Sequence, residues 1–315
     1  MTLAADPAPR AWPVHESAYR PRAALDLHET VGILRRGPKD PTIVRDGPVL
    51  WLALRTPAGI ATLALRPGSG EVRTSAWGPG AEEALARVPA LCGALDDPDG
   101  FDPSSHPVLA DAARRLPGLR LSRTDAVFDA LAGVILEQKV TGFQAYGAWR
   151  VLVSRFGDIA PGPTPRAMAV APDAAGWRRI PSWAWHRAGV QPPQSRTLVR
   201  AAERAPSLER AVLAAADGDA RDAALTSLPG IGPWTAAETR IRALGDPDAV
   251  SVGDYHLAHE VGFALTGHRT DDAGMLELLA PWAGHRQRVV RLIRLSGVAE
   301  PRRGPRLAPE DHRSR

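Results

Sequence analysis

Nine residues, LPGIGPWTA at positions 228–236, constrain the fold more than any other stretch of this sequence. They lie between two segments whose apolar residues have helical spacing. Gly230 and Gly232 allow backbone conformations that a Cβ forbids and permit close approach to another surface. Pro233 suits the first turn of a helix, where its missing N–H costs nothing. The stretch therefore predicts a tight turn between two helices, with amide groups beside a positive helix N-terminus that suit a phosphate.

Two other interpretations of the same stretch stay open at this point. A Gly-x-Gly pair also occurs in dinucleotide-binding loops, but such a loop follows a strand and has a third glycine, where this sequence has Thr235. An ordinary corner between two helices, with no ligand, would use the same residues.

The residues before this helical region have a different pattern. From Thr42 onward, the apolar runs TIV, VLWLALR, IATLALR and EVRTSAW are separated by Gly- and Pro-containing turns. Such alternation predicts antiparallel hairpins. The following segment, AEEALARVPALCGAL at 81–95, has helical spacing and is expected to cover one face of that sheet.

After a polar, Pro-containing boundary at 96–107, the pattern is helical throughout, and it recurs at 125–157, 196–216, 219–228, 234–244, 255–266 and 275–297. We therefore predict an α+β fold, with an amino-terminal antiparallel sheet domain followed by a larger all-helical domain that contains a helix-hairpin-helix motif. The expected divisions are a Pro-rich lead-in at 1–20, an antiparallel α+β domain at 21–105, a helical domain at 106–300 with its hairpin at 228–233, and a disordered basic tail at 301–315.

Composition narrows the class of protein further. No apolar run reaches the roughly 18 residues of a membrane span, and the first residues lack the pattern of a signal peptide, so a cytoplasmic location is expected. The only cysteine, Cys92, excludes intrachain disulfides and four-cysteine metal or iron–sulfur clusters. Lys39 and Lys139 are the only lysines among 39 basic residues, and a net charge of +4 carried by arginine favours a polyanionic partner. High-GC coding would produce the same arginine bias.

An aspartate downstream gives the hairpin a specific context. Asp254 lies twenty residues after Trp234, in the segment VSVGDYHLAHEVGFAL. The two features together resemble the helix-hairpin-helix superfamily of DNA glycosylases, and within it the AlkA-type 3-methyladenine DNA glycosylases, which have an LPGIGxWTA hairpin and a D-Y-L-like aspartate segment. The resemblance covers most of the chain and includes the segments at 123–142 and 281–286. It implies that the hairpin binds DNA through Leu228, Pro229, Gly230, Ile231, Gly232 and Pro233.

The resemblance also implies an activity. It predicts a monofunctional base-excision glycosylase that hydrolyses the N-glycosidic bond of an alkylated or otherwise damaged base after the base is flipped out of duplex DNA. Asp254 would stabilise the positive charge that develops on the sugar and orient or deprotonate the attacking water. The alternative is that Asp254 is only the N-cap of a helix beginning at Tyr255. Superfamily members that also cut the strand have a lysine at position 234; because this sequence has Trp234, no AP lyase activity is expected.

Three further residues are predicted to form the base pocket by resemblance. Trp234 and Trp282 would stack on the flipped base, with a cation–π contribution if the base is alkylated; the alternative is that either is a core residue. Glu238 stands where the family usually has a tyrosine, so its carboxylate would either favour a cationic base or be solvated. Other tryptophans without a family motif are expected to pack in the core or at an interface: Trp177, Trp183 and Trp185.

The predicted wedge and cation sites rest on the same resemblance. Gln138 or Lys139 would fill the gap left by the flipped base, although lysine fills such a gap poorly. No cofactor is required, but a structural Na⁺ or K⁺ is expected on the backbone carbonyls of Thr226, Leu228 and Ile231. His256 and His259 have a spacing that could support a metal, but we expect them to be solvated or packed because no third ligand is visible.

The expected partner is double-stranded DNA containing damaged bases, bound by a monomer in the cytoplasm at the nucleoid, with no membrane association. A competing hypothesis is a non-catalytic helix-hairpin-helix protein that binds DNA and senses damage. Lys139 and Glu238, which depart from the family pattern, are the residues that keep this hypothesis open.

Overall fold

An antiparallel sheet of five strands occupies the amino-terminal part of the chain. In the computed structural model, which describes residues 12–300, its strands are β1 (Val14–Tyr19), β2 (Ile43–Asp46), β3 (Val49–Thr56), β4 (Gly59–Pro67) and β5 (Val72–Trp77). Their order across the sheet is β1-β5-β4-β3-β2, and all neighbours are antiparallel. The four predicted runs are thus four consecutive strands. The predicted tail at 301–315 and the first part of the predicted lead-in lie outside the described residues.

The lead-in prediction needs one correction. Residues 14–19 form β1, which pairs along its whole length with β5, from Val14 opposite Trp77 to Tyr19 opposite Val72. This edge strand is mostly exposed, so its sequence VHESAY carries little of the apolar alternation that identifies a strand.

Three short helices cover one face of the sheet: α1 (Leu27–Gly32), α2 (Ala81–Ala86) and α3 (Val88–Leu91). Their apolar residues join those of the sheet in one core, to which β4 contributes the fully buried Leu63 and Leu65. The segment predicted as one helix at 81–95 is divided, because Pro89 lacks the amide that would continue the hydrogen bonding of α2.

The rest of the described chain is mainly helical. Its helices are α4 (Pro107–Arg115), α5 (Val127–Glu137), α6 (Gly142–Phe156), α7 (Ala174–Arg179), α8 (Ser182–Arg187), α9 (Pro192–Glu203), α10 (Ala205–Ala214), α11 (Gly218–Thr226), α12 (Pro233–Leu244), α13 (Leu257–Thr266), α14 (Asp272–Leu279), a 3₁₀ turn (Ala280–Trp282) and α15 (Arg286–Ser296). Two short strands, β6 (Asp158–Ile159) and β7 (Ala169–Val170), form a small antiparallel pair. The prediction of helix throughout this region is therefore wrong at those residues.

Helix α5 is central to the larger helical core. Every residue from Val127 to Leu136 except Asp129 is buried, and the helix packs against α6, α9, α10 and α12. It ends at Glu137, and the capping box of Thr141 and Gln144 starts α6. The segment predicted as helical from 125 to 157 is therefore two helices, and the loop between them faces the hairpin that precedes α12.

A separate apolar cluster joins α4 to the carboxyl-terminal helices α13, α14 and α15, with Leu109, Val261, Met275 and Val289 fully buried. None of the helices in the described part of the chain has the length and apolar character needed to cross a membrane.

Candidate DNA-binding and catalytic site

The predicted hairpin connects α11 to α12. Its turn is closed by the Ile231 amide, which donates to the Leu228 carbonyl at 3.0 Å. Both side chains are buried in the helical core, whereas Pro229 and Gly230 are exposed. The apolar residues of LPGIG thus fix the turn and leave its tip free to contact a ligand. Because a helix rather than a strand precedes it, the dinucleotide-loop interpretation is excluded.

Gly230 is required by the backbone at the hairpin tip. Its φ of 97° lies in the left-handed region, and a Cβ at this position would overlap the hydroxyl of Thr197. Gly232 is less constrained, because its φ is −107° and a Cβ there would have no atom within 4 Å. Gly232 serves as the N-cap of α12, and Pro233 is its first residue, as predicted.

Asp254 lies just ahead of α13, and both of its carboxylate oxygens are held. Oδ1 accepts hydrogen bonds from the amides of His256 and Leu257, each at 2.9 Å, and Oδ2 accepts one from Trp234 Nε1 at 3.1 Å. Helix α13 begins at Leu257 rather than at Tyr255, so the predicted N-cap position is two residues too early. One oxygen therefore supports the start of the helix, and the other is tied to the first turn of α12, directly after the hairpin.

These contacts set the charge of Asp254. Burial by itself raises the pKa of this carboxyl, but hydrogen bonds from the His256 amide, the Trp234 indole and the Leu257 amide, together with the positive charge of Arg294, hold its pKa below the usual value. Asp254 is consequently ionised at neutral pH. A carboxylate with a lowered pKa is a weak base, so it is better suited to stabilising a cation than to removing a proton.

The contribution of Arg294 to the charge of Asp254 was not predicted from the sequence. This residue lies on α15, forty residues after Asp254, and its Nε donates to Glu260 Oε2 at 2.9 Å. No local pattern links it to the aspartate, because only the packing of α13 against α15 brings the two together.

Glu238 lies one helical turn after Trp234 and is only 7% exposed. Its Oε1 accepts a hydrogen bond from Ser251 Oγ at 2.6 Å, and its Oε2 lies 3.2 Å from Arg242 Nη2. The same guanidinium nitrogen is 3.5 Å from Glu137 Oε2. The solvated alternative for Glu238 is therefore wrong, because both oxygens are paired inside the protein. The spacing of four residues between Glu238 and Arg242 was a usable signal for this pair.

The loop after α5 contacts the hairpin through Gln138. Its side-chain Nε2 donates to the Gly230 carbonyl and to Thr235 Oγ1, both at 2.9 Å. The backbone carbonyl of Gln138 accepts a hydrogen bond from Gln194 Nε2 at 3.1 Å. Lys139 is exposed beside it, with a φ of 56° that is uncommon for a residue with a side chain. Of the two predicted wedge residues, Gln138 is thus engaged within the protein and Lys139 is free to project.

Two exposed aromatic residues near this loop and near Asp254 were not singled out from the sequence. Phe143, in the first turn of α6, and Tyr255, next to Asp254, are each 80% exposed. Exposed aromatic side chains are typical of surfaces that stack on or insert between bases.

Trp282 lies in the 3₁₀ turn, partly buried against the cluster of α4 and α13–α15, and its Nε1 donates to the Asp102 carbonyl at 2.9 Å. Its role as a wall of the base pocket stays a prediction. The three tryptophans expected in the core or at an interface differ in exposure. Trp177 and Trp185 stack in the core with ring centroids 5.8 Å apart, as expected. Trp183 is 48% exposed and lies between the guanidinium groups of Arg155 and Arg187.

The predicted cation site remains a prediction. The Leu228 carbonyl already accepts the Ile231 amide, which leaves it one lone pair for a cation, together with the carbonyls of Thr226 and Ile231. Of the two histidines, His259 is engaged inside the protein, because its Nδ1 lies 2.9 Å from the Thr270 carbonyl. Among residues 12–300, no group of three or more His, Cys, Asp or Glu side chains is placed to hold a metal.

The five-stranded antiparallel sheet and the helical region that follows it are similar to the folds of solved DNA glycosylases. A 3-methyladenine DNA glycosylase from Archaeoglobus fulgidus has this fold, with a TM-score of 0.74 and 17% identity over 88% of this chain and 97% of that one. An 8-oxoguanine glycosylase/lyase from Clostridium acetobutylicum, solved with duplex DNA, has a TM-score of 0.69 and 11% identity over 90% of this chain and 96% of that one.

A scan of family models finds no match to the sequence, and a search of curated proteins finds none. The likeness to the solved structures confirms the predicted α+β fold.

Proposed function

We propose that this protein is a DNA glycosylase that hydrolyses the N-glycosidic bond of a damaged base flipped out of duplex DNA, with Asp254 as the catalytic carboxylate. The observation that carries the proposal is the position of Asp254. Its carboxylate is ionised and fixed by two backbone amides and the Trp234 indole, next to a hairpin whose exposed tip suits a phosphate. The solved glycosylases that share the fold support it.

The chemistry follows from the charge that develops as the base leaves. Departure of the base makes the sugar resemble an oxocarbenium ion, and a fixed anion facing that carbon stabilises the transition state more than the ground state. Because the hydrogen-bond donors hold Asp254 in its ionised form, the carboxylate needs no reorganisation during the reaction. Its main role is therefore electrostatic, with water as the nucleophile.

The proposal includes the absence of lyase activity. A Schiff base with the sugar needs an amine at the position of Trp234, and indole has none. Lys139 is the one lysine on the loop that contacts the hairpin, through its neighbour Gln138. Borohydride trapping on abasic DNA tests this point directly: no covalent complex is expected, and a complex that disappears in Lys139→Ala would show a bifunctional enzyme.

The substrate is proposed to be an alkylated base, on the resemblance of the hairpin and aspartate segments. A panel of duplexes, each with one alkylated, deaminated or oxidised base, identifies it when strand breakage is compared with and without alkali. Breakage that requires alkali shows base excision without lyase chemistry.

Asp254→Asn tests the catalytic assignment. Asparagine keeps the size of the side chain and much of the capping ability but removes the negative charge, so single-turnover excision should fall by about two orders of magnitude or more. Binding to the same duplex should change far less. A suitable control is Asp271→Asn, since Asp271 also caps a helix, through the Gly274 amide at 2.9 Å, and has no bond to Trp234.

The alternative function, a damage sensor without catalysis, predicts the same binding to DNA and the same decline of affinity with salt. It predicts no excision from any duplex of the panel. Excision by wild-type protein that persists at full rate in Asp254→Asn would instead assign the chemistry to another carboxylate.

A further inference from the structure

A cavity lies between the sheet and the helical core. The space in it that water-sized molecules can occupy is about 110 Å³, and the empty volume including the open mouth is about 780 Å³. Strand β3, the segment after α1, helix α3 and the start of α5 surround it, and its apolar wall includes Leu34, Ile43, Leu52, Leu54 and Leu91. The cavity is therefore shaped for a ligand with a largely apolar body.

Asp129 is a carboxyl group without a partner in this wall. Among residues 12–300, no hydrogen bond or ion pair reaches its side chain, although its neighbour Phe128 has its amide bonded to Glu209 Oε1 at 3.0 Å. Burial raises the pKa of Asp129 to about 6, and the negative charge of Glu209 adds to that effect, against the opposing charges of Arg55, Arg36 and Arg87. The Asp129 side chain is only partly buried, so a ligand in the cavity can reach its oxygens and supply the hydrogen bonds that the protein does not.

The arginines of the wall each have at least one partner in the protein, and the Nε atoms of Arg36, Arg55 and Arg242 that lack a hydrogen bond are buried out of reach of a ligand. Arg36 donates to the Ala130 carbonyl at 3.2 Å, and Arg55 to the Ala171 carbonyl at 3.2 Å. Arg87 donates to the Arg55 carbonyl at 3.3 Å, and Arg242 is paired with Glu238 at 3.2 Å. Asp129 is the one carboxyl group among the described residues that line the cavity, so the N–H donors of a ligand pair with it.

The cavity is distinct from the site at Asp254. Eight residues of α5 separate Asp129 from Glu137, a distance of about 12 Å along the helix axis. The hairpin, Gln138 and Trp234 are all at the far end of that helix, and none of them lines the cavity.

We propose that this cavity binds a small heteroaromatic ring that has an amino group next to a ring nitrogen, with the ring against the apolar wall and its amino edge on Asp129. That edge pairs with a carboxyl group in either protonation state. An ionised Asp129 accepts from the amino group and from a protonated ring nitrogen. A neutral Asp129 donates its proton to the ring nitrogen and accepts from the amino group, so two hydrogen bonds form in both cases.

The test uses 2-aminopyridine as the probe and 3-aminopyridine as its matched control, because the isomers have the same size but only the first has the adjacent pair. Calorimetric or NMR titration of the full-length chain without DNA, up to about 10 mM ligand, should show one molecule of 2-aminopyridine bound per chain. The 3-isomer should bind at least tenfold more weakly.

Asp129→Leu, which keeps the size of the side chain and removes both hydrogen-bonding groups, should weaken binding of 2-aminopyridine at least tenfold, and Ala126→Phe, which fills the cavity from its wall, should abolish it. Asp254→Asn should leave the affinity unchanged. Equal affinity for both isomers, binding that survives Asp129→Leu or Ala126→Phe, binding lost in Asp254→Asn, or no binding to wild-type protein would each overturn the proposal. The experiment contains no DNA, so its outcome is independent of the glycosylase assignment.

Discussion

Trp234 and Asp254 were both predicted to belong to the site, but the hydrogen bond between them was not predicted from the sequence. If Trp234 were only a core residue, the 3.1 Å contact between its Nε1 and Asp254 Oδ2 would have no explanation. In a bond of this kind the donor stabilises the charged form of the acceptor, so it contributes more than a bond between neutral groups. We infer that Trp234 sets the charge of Asp254 in addition to any contact with the base.

Trp234→Phe tests that inference, because it keeps an aromatic face and removes the donor. Loss of a hydrogen bond to a carboxylate costs about 1.5 kcal/mol, so the pKa of Asp254 should rise and excision should slow about tenfold. The acid limb of the pH–rate profile should therefore move to higher pH. Trp282→Phe is the matched control, because its indole donates to the Asp102 carbonyl instead, and its acid limb should stay in place. An unmoved acid limb in Trp234→Phe would contradict the role given to the indole.

Only some of the partners of Glu238 could be predicted from the sequence. Its spacing from Arg242 was visible, but its bond to Ser251 and the approach of Glu137 to the same guanidinium depend on how α5 and α12 pack. Burial alone would lower the pKa of Arg242, but Glu137 and Glu238 outweigh burial and raise it, so the guanidinium stays charged. Pairing across elements of this kind is set by tertiary structure.

At the scale of elements, the hairpin gives a sharp test. Gly230→Ala forces a Cβ into the left-handed region and against Thr197, whereas Gly232→Ala meets neither obstacle. We expect Gly230→Ala to lower stability by about 1 to 3 kcal/mol and to weaken duplex binding at least tenfold. Gly232→Ala should change stability by less than about 1 kcal/mol. Urea unfolding and titration of fluorescent duplex measure both effects, and equal behaviour of the two variants would contradict the structural difference between the glycines.

The elements that the sequence predicted are those with strong local signals. Turn dipeptides and alternation located β2–β5, and helical spacing with Pro233 located α12, because these signals reflect backbone chemistry within a few residues. The strand β1 was missed because an exposed edge strand needs no apolar alternation. The split after Glu137 was missed because the apolar spacing continues across it, and the capping box at Thr141 was the signal that marks the break.

At the scale of the whole molecule, Asp129 makes stability depend on pH. Its pKa is raised from 3.8 to about 6 in the folded chain, so folding favours the protonated form. The contribution to stability is fully present below about pH 4 and is lost as pH rises through about 6, to a total of up to about 3 kcal/mol. Asp129→Asn removes this dependence. The free energy of unfolding of the variant should therefore rise relative to wild type between pH 4 and pH 7.

Urea unfolding of both proteins at several pH values measures that difference, and the groups common to both cancel. The two stability profiles would run parallel if the Asp129 carboxyl were as well solvated in the folded chain as in the unfolded one.

The cluster that joins α4 to α15 has a consequence for how the chain is made. Helix α4 ends at Arg115 and α15 begins at Arg286, so the helix face that carries Leu109 lacks its partner helix until α15 has been synthesised. At about 5–20 residues per second, translation of the intervening segment takes roughly ten to thirty seconds. During that time the apolar face of α4 is exposed on the nascent chain, and such transiently exposed surface favours aggregation.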